Sequence, residues 1–150
     1  MALDELDDQL ISRLQEDGRA SNIELAKQIG VSEGTIRRRF RKLVRDEVMR
    51  VVAIPNPAKL GRSTAALVGL QLDPAKVDPA AEALALIPEV QYVAVTTGAY
   101  DVFLWVALGS PEELSTFLRL QVGSIEGIRR TETFVNLSIR KSPSGPIAVG

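Results

Sequence analysis

Apolar residues over roughly the first third of the chain recur at three- and four-residue spacing, and beyond residue 62 they alternate or run in short blocks. A helical region therefore gives way to one that also carries strands. Leu3, Leu6, Leu10, Ile11 and Leu14 predict an amphipathic first helix, with Asp4 as its cap and Gly18 closing it. Ser21 with Glu24 three residues on is a capping-box start, and Leu25, Ala26 and Ile29 give the second helix its inward face. Gly30 ends that helix where a residue free to take positive φ is wanted. Ser32 caps a third helix, whose buried stripe is Ile36, Phe40, Leu43 and Val44. Val48 to Ile54 is rich in β-branched residues and predicts a short strand or wing. Pro55-Asn56-Pro57 then breaks regular structure, and Ala58 to Arg62 is a hinge.

The second region predicts strand, helix, strand, strand, helix, strand. The strands are Ser63–Leu72, Val90–Thr97, Tyr100–Leu108 and Ile128–Ile139. One helix opens at Asp78-Pro79 and runs to about Ile87, with Val77, Ala81, Leu84 and Ile87 inward. The other opens on a capping box, Ser110-Pro111-Glu112-Glu113, and carries Leu114, Phe117, Leu118 and Val122. Gly98-Ala99-Tyr100-Asp101 is a tight connection, with a hairpin turn over a packed Tyr100 as its simplest reading. This order is the split βαβ, or ferredoxin-like, arrangement, and the fold class is α+β. The first and third strands are central in that fold and are apolar on both faces here. Two helices cover one face of a sheet. Leu67, Phe103 and Trp105 on the other predict a self-association surface, unless the first region or the linker covers them.

Ala26, Gly30 and Ile36 stand where two short crossed helices need a small residue, a tight turn and an apolar anchor. The chain's formal net charge is only −1, but the charge is polarised. Met1 to Val31 holds three basic residues (Arg13, Arg19, Lys27) against seven acidic ones, and Ser32 to Ile54 holds seven basic against three acidic. The third helix carries Arg37, Arg38, Arg39, Arg41, Lys42 and Arg45. A helix with one buried face and one arginine-rich face suits the DNA major groove and its flanking phosphates. Ser32, Glu33, Gly34, Thr35 and Arg38 lie in its first turns, where a recognition helix meets base edges. Arg37, Arg39, Arg41, Lys42 and Arg45 divide between phosphates and local ion pairs.

Composition narrows the alternatives. The chain has no Cys and no His, which removes the usual zinc sites, disulfides, thiol nucleophiles and histidine acid–base chemistry. Asp101, Glu112, Glu113, Glu126 and Glu132 are scattered without an acid–base pairing, so no enzyme, metal or cofactor is expected. No apolar run approaches membrane-spanning length and no signal peptide is evident, so a cytoplasmic protein without membrane partners is expected.

Several local patterns resemble the Lrp/AsnC (feast/famine) family of transcriptional regulators, in order and in spacing. They are Leu3-Asp4 through Asp17-Gly18-Arg19, Ser21-Asn22-Ile23-Glu24-Leu25-Ala26, Gly30-Val31-Ser32, Arg41-Lys42-Leu43, Asn56-Pro57 with Leu60-Gly61, Gly98-Ala99-Tyr100-Asp101, and Thr131–Asn136. The resemblance spans Leu3 to about Lys141. It implies a winged helix-turn-helix over 1–54, a linker over 55–62 and a βαββαβ (RAM-type) sensing and oligomerisation domain over 63–141; the residues themselves predict a poorly ordered, flexible tail over 142–150. It further implies dimers that assemble into tetramers or octamers on a pseudo-palindromic duplex site. The implied effector is an amino acid held between dimers by Thr97, Gly98, Ala99, Tyr100 and Asp101, with Thr133, Phe134 and Asn136 opposite. Asp101 would pair with an ammonium group and loop N–H groups would hold a carboxylate. The implied function is a metabolite-responsive regulator. The alternative is a nucleoid-organising protein of the same architecture with no effector. Two departures stand out: Ala99 replaces a more usual polar residue, and Glu47-Val48 stands where the family usually has Gly, so a different helix end is expected there.

Overall fold

The computed structural model describes residues 3–140. They form two compact units, one ending at Ile54 and one spanning Pro55–Arg140. The expected tail over 142–150, with Lys141, lies outside the described residues.

In the first unit, α1 (Glu5–Glu16) opens on a capping box made from two aspartates. The Asp7 N–H donates to the Asp4 carboxylate at 3.0 Å, and the Asp4 N–H donates to the Asp7 carboxylate at 3.4 Å. Leu3 therefore lies ahead of the helix and is exposed, not part of the inward stripe. The residue that would staple it, Asp8, is polar. The helix stops before Gly18, at Glu16, with an extended Asp17 as its C-cap. The predicted box of Ser21 and Glu24 starts α2 (Asn22–Ile29), and Gly30 ends it at φ 81°. Ser32 caps α3 (Glu33–Arg45) by accepting the Thr35 N–H. Leu10, Ile11, Leu25, Ala26, Ile36 and Leu43 form the core, flanked by Leu14, Ile29, Phe40 and Met49.

Two further expectations for this unit need correction. Val44 is exposed: the stripe Ile36–Phe40–Leu43 fills the narrow core of so small a unit, and Met49 packs there as the chain turns back. Residues 48–54 form no strand or wing, and Val51, Val52 and Ile54 are exposed. An extended segment without a partner strand has no ladder to join. The end of α3 nevertheless takes the ordinary left-handed form with an unusual residue. Glu47 has φ 56°, its N–H donates to the Val44 carbonyl at 3.2 Å, and the Val48 N–H donates to that of Leu43 at 2.9 Å.

The second unit opens with Asn56, whose side chain caps a short 3-10 turn over Pro57–Leu60. It then runs β1 (Thr64–Leu72), α4 (Val77–Ala85), β2 (Val90–Val95), β3 (Val102–Leu108), α5 (Pro111–Leu120) and β4 (Ile128–Val135). The sheet order is β2-β3-β1-β4 with every neighbouring pair antiparallel, which puts β1 and β3 at the centre. Ala66, Val68, Leu70, Val102, Leu104 and Val106 are fully buried on one face, packed with Ala80 and Leu84 of α4 and Leu114 and Phe117 of α5.

Boundaries shift where tertiary contacts decide them. A 3-10 turn over Pro74–Lys76 leads directly into α4, so the helix starts at Val77 and Asp78 is not its cap. Glu113 reaches back one residue further than a standard box, taking the Gly109 N–H at 2.9 Å while Ser110 accepts from Glu113 at 3.1 Å. Strand β4 ends at Val135, opposite Ala66 of β1. The Asn136 N–H makes the last bond, to the Ala65 carbonyl at 2.8 Å, and Leu137 and Ile139 are exposed beyond it.

Candidate nucleic-acid interface and sheet-face site

The polar face of α3 is one continuous cationic surface. Gly34, Arg38, Arg41 and Arg45 follow one another at three- and four-residue steps and, with Lys42, line an open concavity of about 780 Å³. The structure separates these cations by what they already hold. Arg39 is occupied. Its Nη1 lies 3.1 and 3.2 Å from the two Asp7 carboxylate oxygens and 2.7 Å from Asp4. Asp7 is the buried charge of this unit, 1 % exposed, so Arg39 ties α3 to the start of α1. The hydrogen bond with Asp4 raises the guanidinium's pKa, and the N–H of Asp7 holds the Asp4 carboxyl below its ordinary range. Arg39 is thus an internal tie that also lines the concavity. Arg37 pairs with Glu33 one turn earlier and Arg45 with Asp46 at 2.8 Å, both at the surface, where such pairs exchange readily. Arg38, Arg41 and Lys42 form no ion pair among the described residues. Ser32 and Thr35 share a hydroxyl hydrogen bond of 2.9 Å at the helix start.

In the second unit, the face of the sheet away from the helices carries an apolar row across all four strands. Tyr92 is opposite Trp105, Trp105 opposite Leu67, and Leu67 opposite Phe134. Tyr92 is 57 % exposed and Phe134 44 %, while Leu67, Phe103 and Trp105 are half-buried. The Tyr100 ring lies on this face over Gly69, where a β-carbon would come within 2.8 Å of it. It meets Phe103 edge-on at 5.3 Å between centroids and Phe134 at 6.4 Å. Its hydroxyl donates to Glu132, which also takes Arg130 at 3.2 Å. That bond to a carboxylate raises the phenol's pKa.

The loop carrying Tyr100 is held on several sides. The Thr96 N–H donates to the Asp101 carbonyl, the Asp101 N–H to the Leu70 carbonyl, and the Leu72 N–H to the Asp101 carboxylate, each at 2.8 Å. The Gln71 side chain donates to the Ala99 carbonyl, also at 2.8 Å, and Gly98 sits at φ 109°. Asp101 thus spends one oxygen closing the end of β1, where the β1–β4 register shifts between Gln71 and Leu72.

Of the expected effector residues, Thr97 to Asp101 share the loop that carries Tyr100, and Phe134 meets the Tyr100 ring. Thr133 and Asn136 do not join them within one chain. Thr133 is opposite Val68 and shares its helix-covered face, and Asn136 sits at the far end of β4 with its side-chain nitrogen buried and unpartnered among the described residues. The residues missed from sequence are Gln71, Arg130 and Glu132. Arg130 and Glu132 alternate with Phe134 at period two, but the register that puts Glu132 beside Gly69 is not visible along one strand.

Comparison with known proteins is consistent across both units. The family described as "AsnC-type helix-turn-helix domain" matches residues 3–44, and the "Lrp/AsnC ligand binding domain" matches residues 65–146. An uncharacterised HTH-type transcriptional regulator of Pyrococcus furiosus is 41 % identical over 140 residues, covering 93 % of this chain and 95 % of the relative. The structure of AsnC from E. coli superposes with a TM-score of 0.86 at 30 % identity, over 95 % of this chain and 97 % of that one. A Neisseria meningitidis transcriptional regulator, solved as a complex with L-Met, has a TM-score of 0.89 at 23 % identity over 97 % of each chain.

Proposed function

Since the chain belongs to the Lrp/AsnC family of DNA-binding transcriptional regulators and carries its ligand-binding domain, we propose that it works as a dimer or a higher assembly whose grip on DNA is set by an amino acid or a close relative. The observation that carries the DNA-contacting part is the α3 face. Arg38, Arg41 and Lys42 are held in no ion pair among the described residues, on a helix otherwise anchored through Ile36, Leu43 and Arg39. Arg38, early in the helix, is the side chain placed to read a base, and Arg41 and Lys42 are placed to meet phosphates. Two such helices in a twofold assembly call for a pseudo-palindromic site. The apolar sheet face with Leu67, Phe103 and Trp105 supports pairing between subunits, because so many half-exposed large side chains on one face are costly to leave in water.

The effector is assigned to the loop Thr97–Asp101, next to that face. The second carboxylate oxygen of Asp101 makes no hydrogen bond among the described residues and is free to face an α-ammonium group. Thr133 and Asn136 would contribute only from another subunit. A ligand there changes DNA binding only by favouring one assembly over another, since equal binding to all shifts nothing. The Neisseria regulator's complex with L-Met puts methionine first in the panel to test.

The test is selection of a preferred duplex, then affinity with and without each amino acid, with thermal shift to find the ligand. The expected outcome is a defined site whose occupancy one amino acid changes. Asp101→Asn, which keeps an acceptor for the Leu72 N–H but removes the charge, is expected to abolish that response and leave ligand-free DNA binding intact. An unchanged response refutes the placement. Even coating of unrelated duplexes, indifferent to every amino acid, would indicate a nucleoid-organising protein instead.

A further inference from the structure

Gly34 is the one glycine inside an α-helix among the described residues. Glycine weakens a helix relative to alanine, since its unfolded chain has more conformations to lose. Among the described residues, the protein's own packing gives no reason for it. The residue lies in the first turn of α3 without a positive φ, and a β-carbon built on it meets only the Ser32 hydroxyl, 4.0 Å away. Gly69 makes the contrast, since the Tyr100 ring fills the space where its β-carbon would stand. An alanine would fit at position 34 and strengthen the helix.

What Gly34 does face is the cationic concavity. It lines that surface four residues before Arg38, on the same side of the helix. Resting on the reading of this face as the DNA-contacting one, we propose that Gly34 is where the duplex comes closest to α3. The helix backbone there lies against a base edge on the major-groove floor, leaving no room for a side chain. A bare Cα presents only C–H to the groove, and C–H packs best against an apolar group. The apolar group on the major-groove floor is the C5 methyl of thymine. Gly34 therefore selects an A·T pair beside the base that Arg38 reads, by admitting a methyl group that any β-carbon would displace.

The test exchanges methyl groups across the interface. A preferred duplex is selected with the wild-type protein, and affinities are measured by fluorescence anisotropy on that duplex, on the same duplex with uracil for thymine, and on an unrelated one. Gly34→Ala is expected to keep or raise the urea midpoint, to lose about tenfold or more on the thymine duplex, and to bind the unrelated duplex unchanged. Uracil is expected to weaken the wild type and to restore much of the variant's loss, because the missing base methyl makes room for the new one. Wild-type affinity of Gly34→Ala for the thymine duplex, an equal loss on every duplex, a lowered urea midpoint, or no gain with uracil each overturns the proposal. An Arg38→Ala/Arg41→Ala variant separates the two levels. If its affinity is unchanged, the DNA-contacting face itself has been misassigned. If it binds weakly while Gly34→Ala binds as wild type, only the role of Gly34 fails.

Discussion

Replacing Gly69 by alanine puts a methyl group where the Tyr100 ring now lies. The new β-carbon would stand 2.8 Å from Cγ and Cδ1 of Tyr100 and 3.0 Å from Cε1 of Phe103, well inside normal contact. The loop cannot slide away to relieve this, because residues 96–101 are held to β1 by the hydrogen bonds from Asp101 and Leu72 and by the Gln71 side chain. The ring must therefore turn out of its site. It then loses its edge-on contacts with Phe103 and Phe134 and its hydrogen bond to Glu132. Forcing a methyl into a filled site of this kind costs about 1–3 kcal/mol. Without the ring, only the 3.0 Å approach to Phe103 remains, which that side chain can relieve by a small turn, so the same change should be near neutral, the residual contact offset by alanine's tighter hold on the unfolded chain. The assay is a double-mutant cycle in urea with Gly69→Ala, Tyr100→Ala and the pair. The expected result is a coupling of about 2 kcal/mol, with the pair no less stable than Tyr100→Ala alone. Additive effects would refute the argument, showing that glycine is needed at position 69 for a reason other than the ring. The same Gly69→Ala variant should also lose its amino-acid response if the loop holds the effector.

Arg39→Ala should lower the urea midpoint by leaving the buried Asp7 carboxylate without its cation, whereas Arg38→Ala should leave the midpoint unchanged and weaken binding to a preferred duplex about tenfold or more; the reverse pattern would exchange their roles. Glu47→Gly should stabilise the protein by about 0.5–1 kcal/mol in urea titration, because φ 56° costs a side-chain-bearing residue what glycine avoids; destabilisation would show that Glu47 makes a compensating interaction. Trp105→Glu should convert the wild-type assembly to monomers in sedimentation at micromolar concentration, and a wild type that sediments as a monomer would end the pairing argument.

Much of this molecule was legible one residue at a time. The box at Ser21–Glu24, the Ser110 cap of α5, the left-handed Gly30 and the period-two blocks on β1 and β3 depend on neighbours within a few positions, so a sequence carries them directly. The cationic composition of α3 was equally plain, and with it the DNA-binding character. What only the tertiary structure decided is which of those cations is free. Arg39 and Arg38 are adjacent and chemically identical, and one is held because the helix places Asp7, thirty-two residues earlier, against it. The same limit governs the sheet. Whether Glu132 or Thr133 faces Tyr100 depends on the register of β4 against β1, and a one-residue slip would exchange them. The absent wing has the same cause. A β-branched run becomes a strand only when another strand supplies the other half of its hydrogen bonds, and for residues 48–54 no such partner exists within their own unit among the described residues.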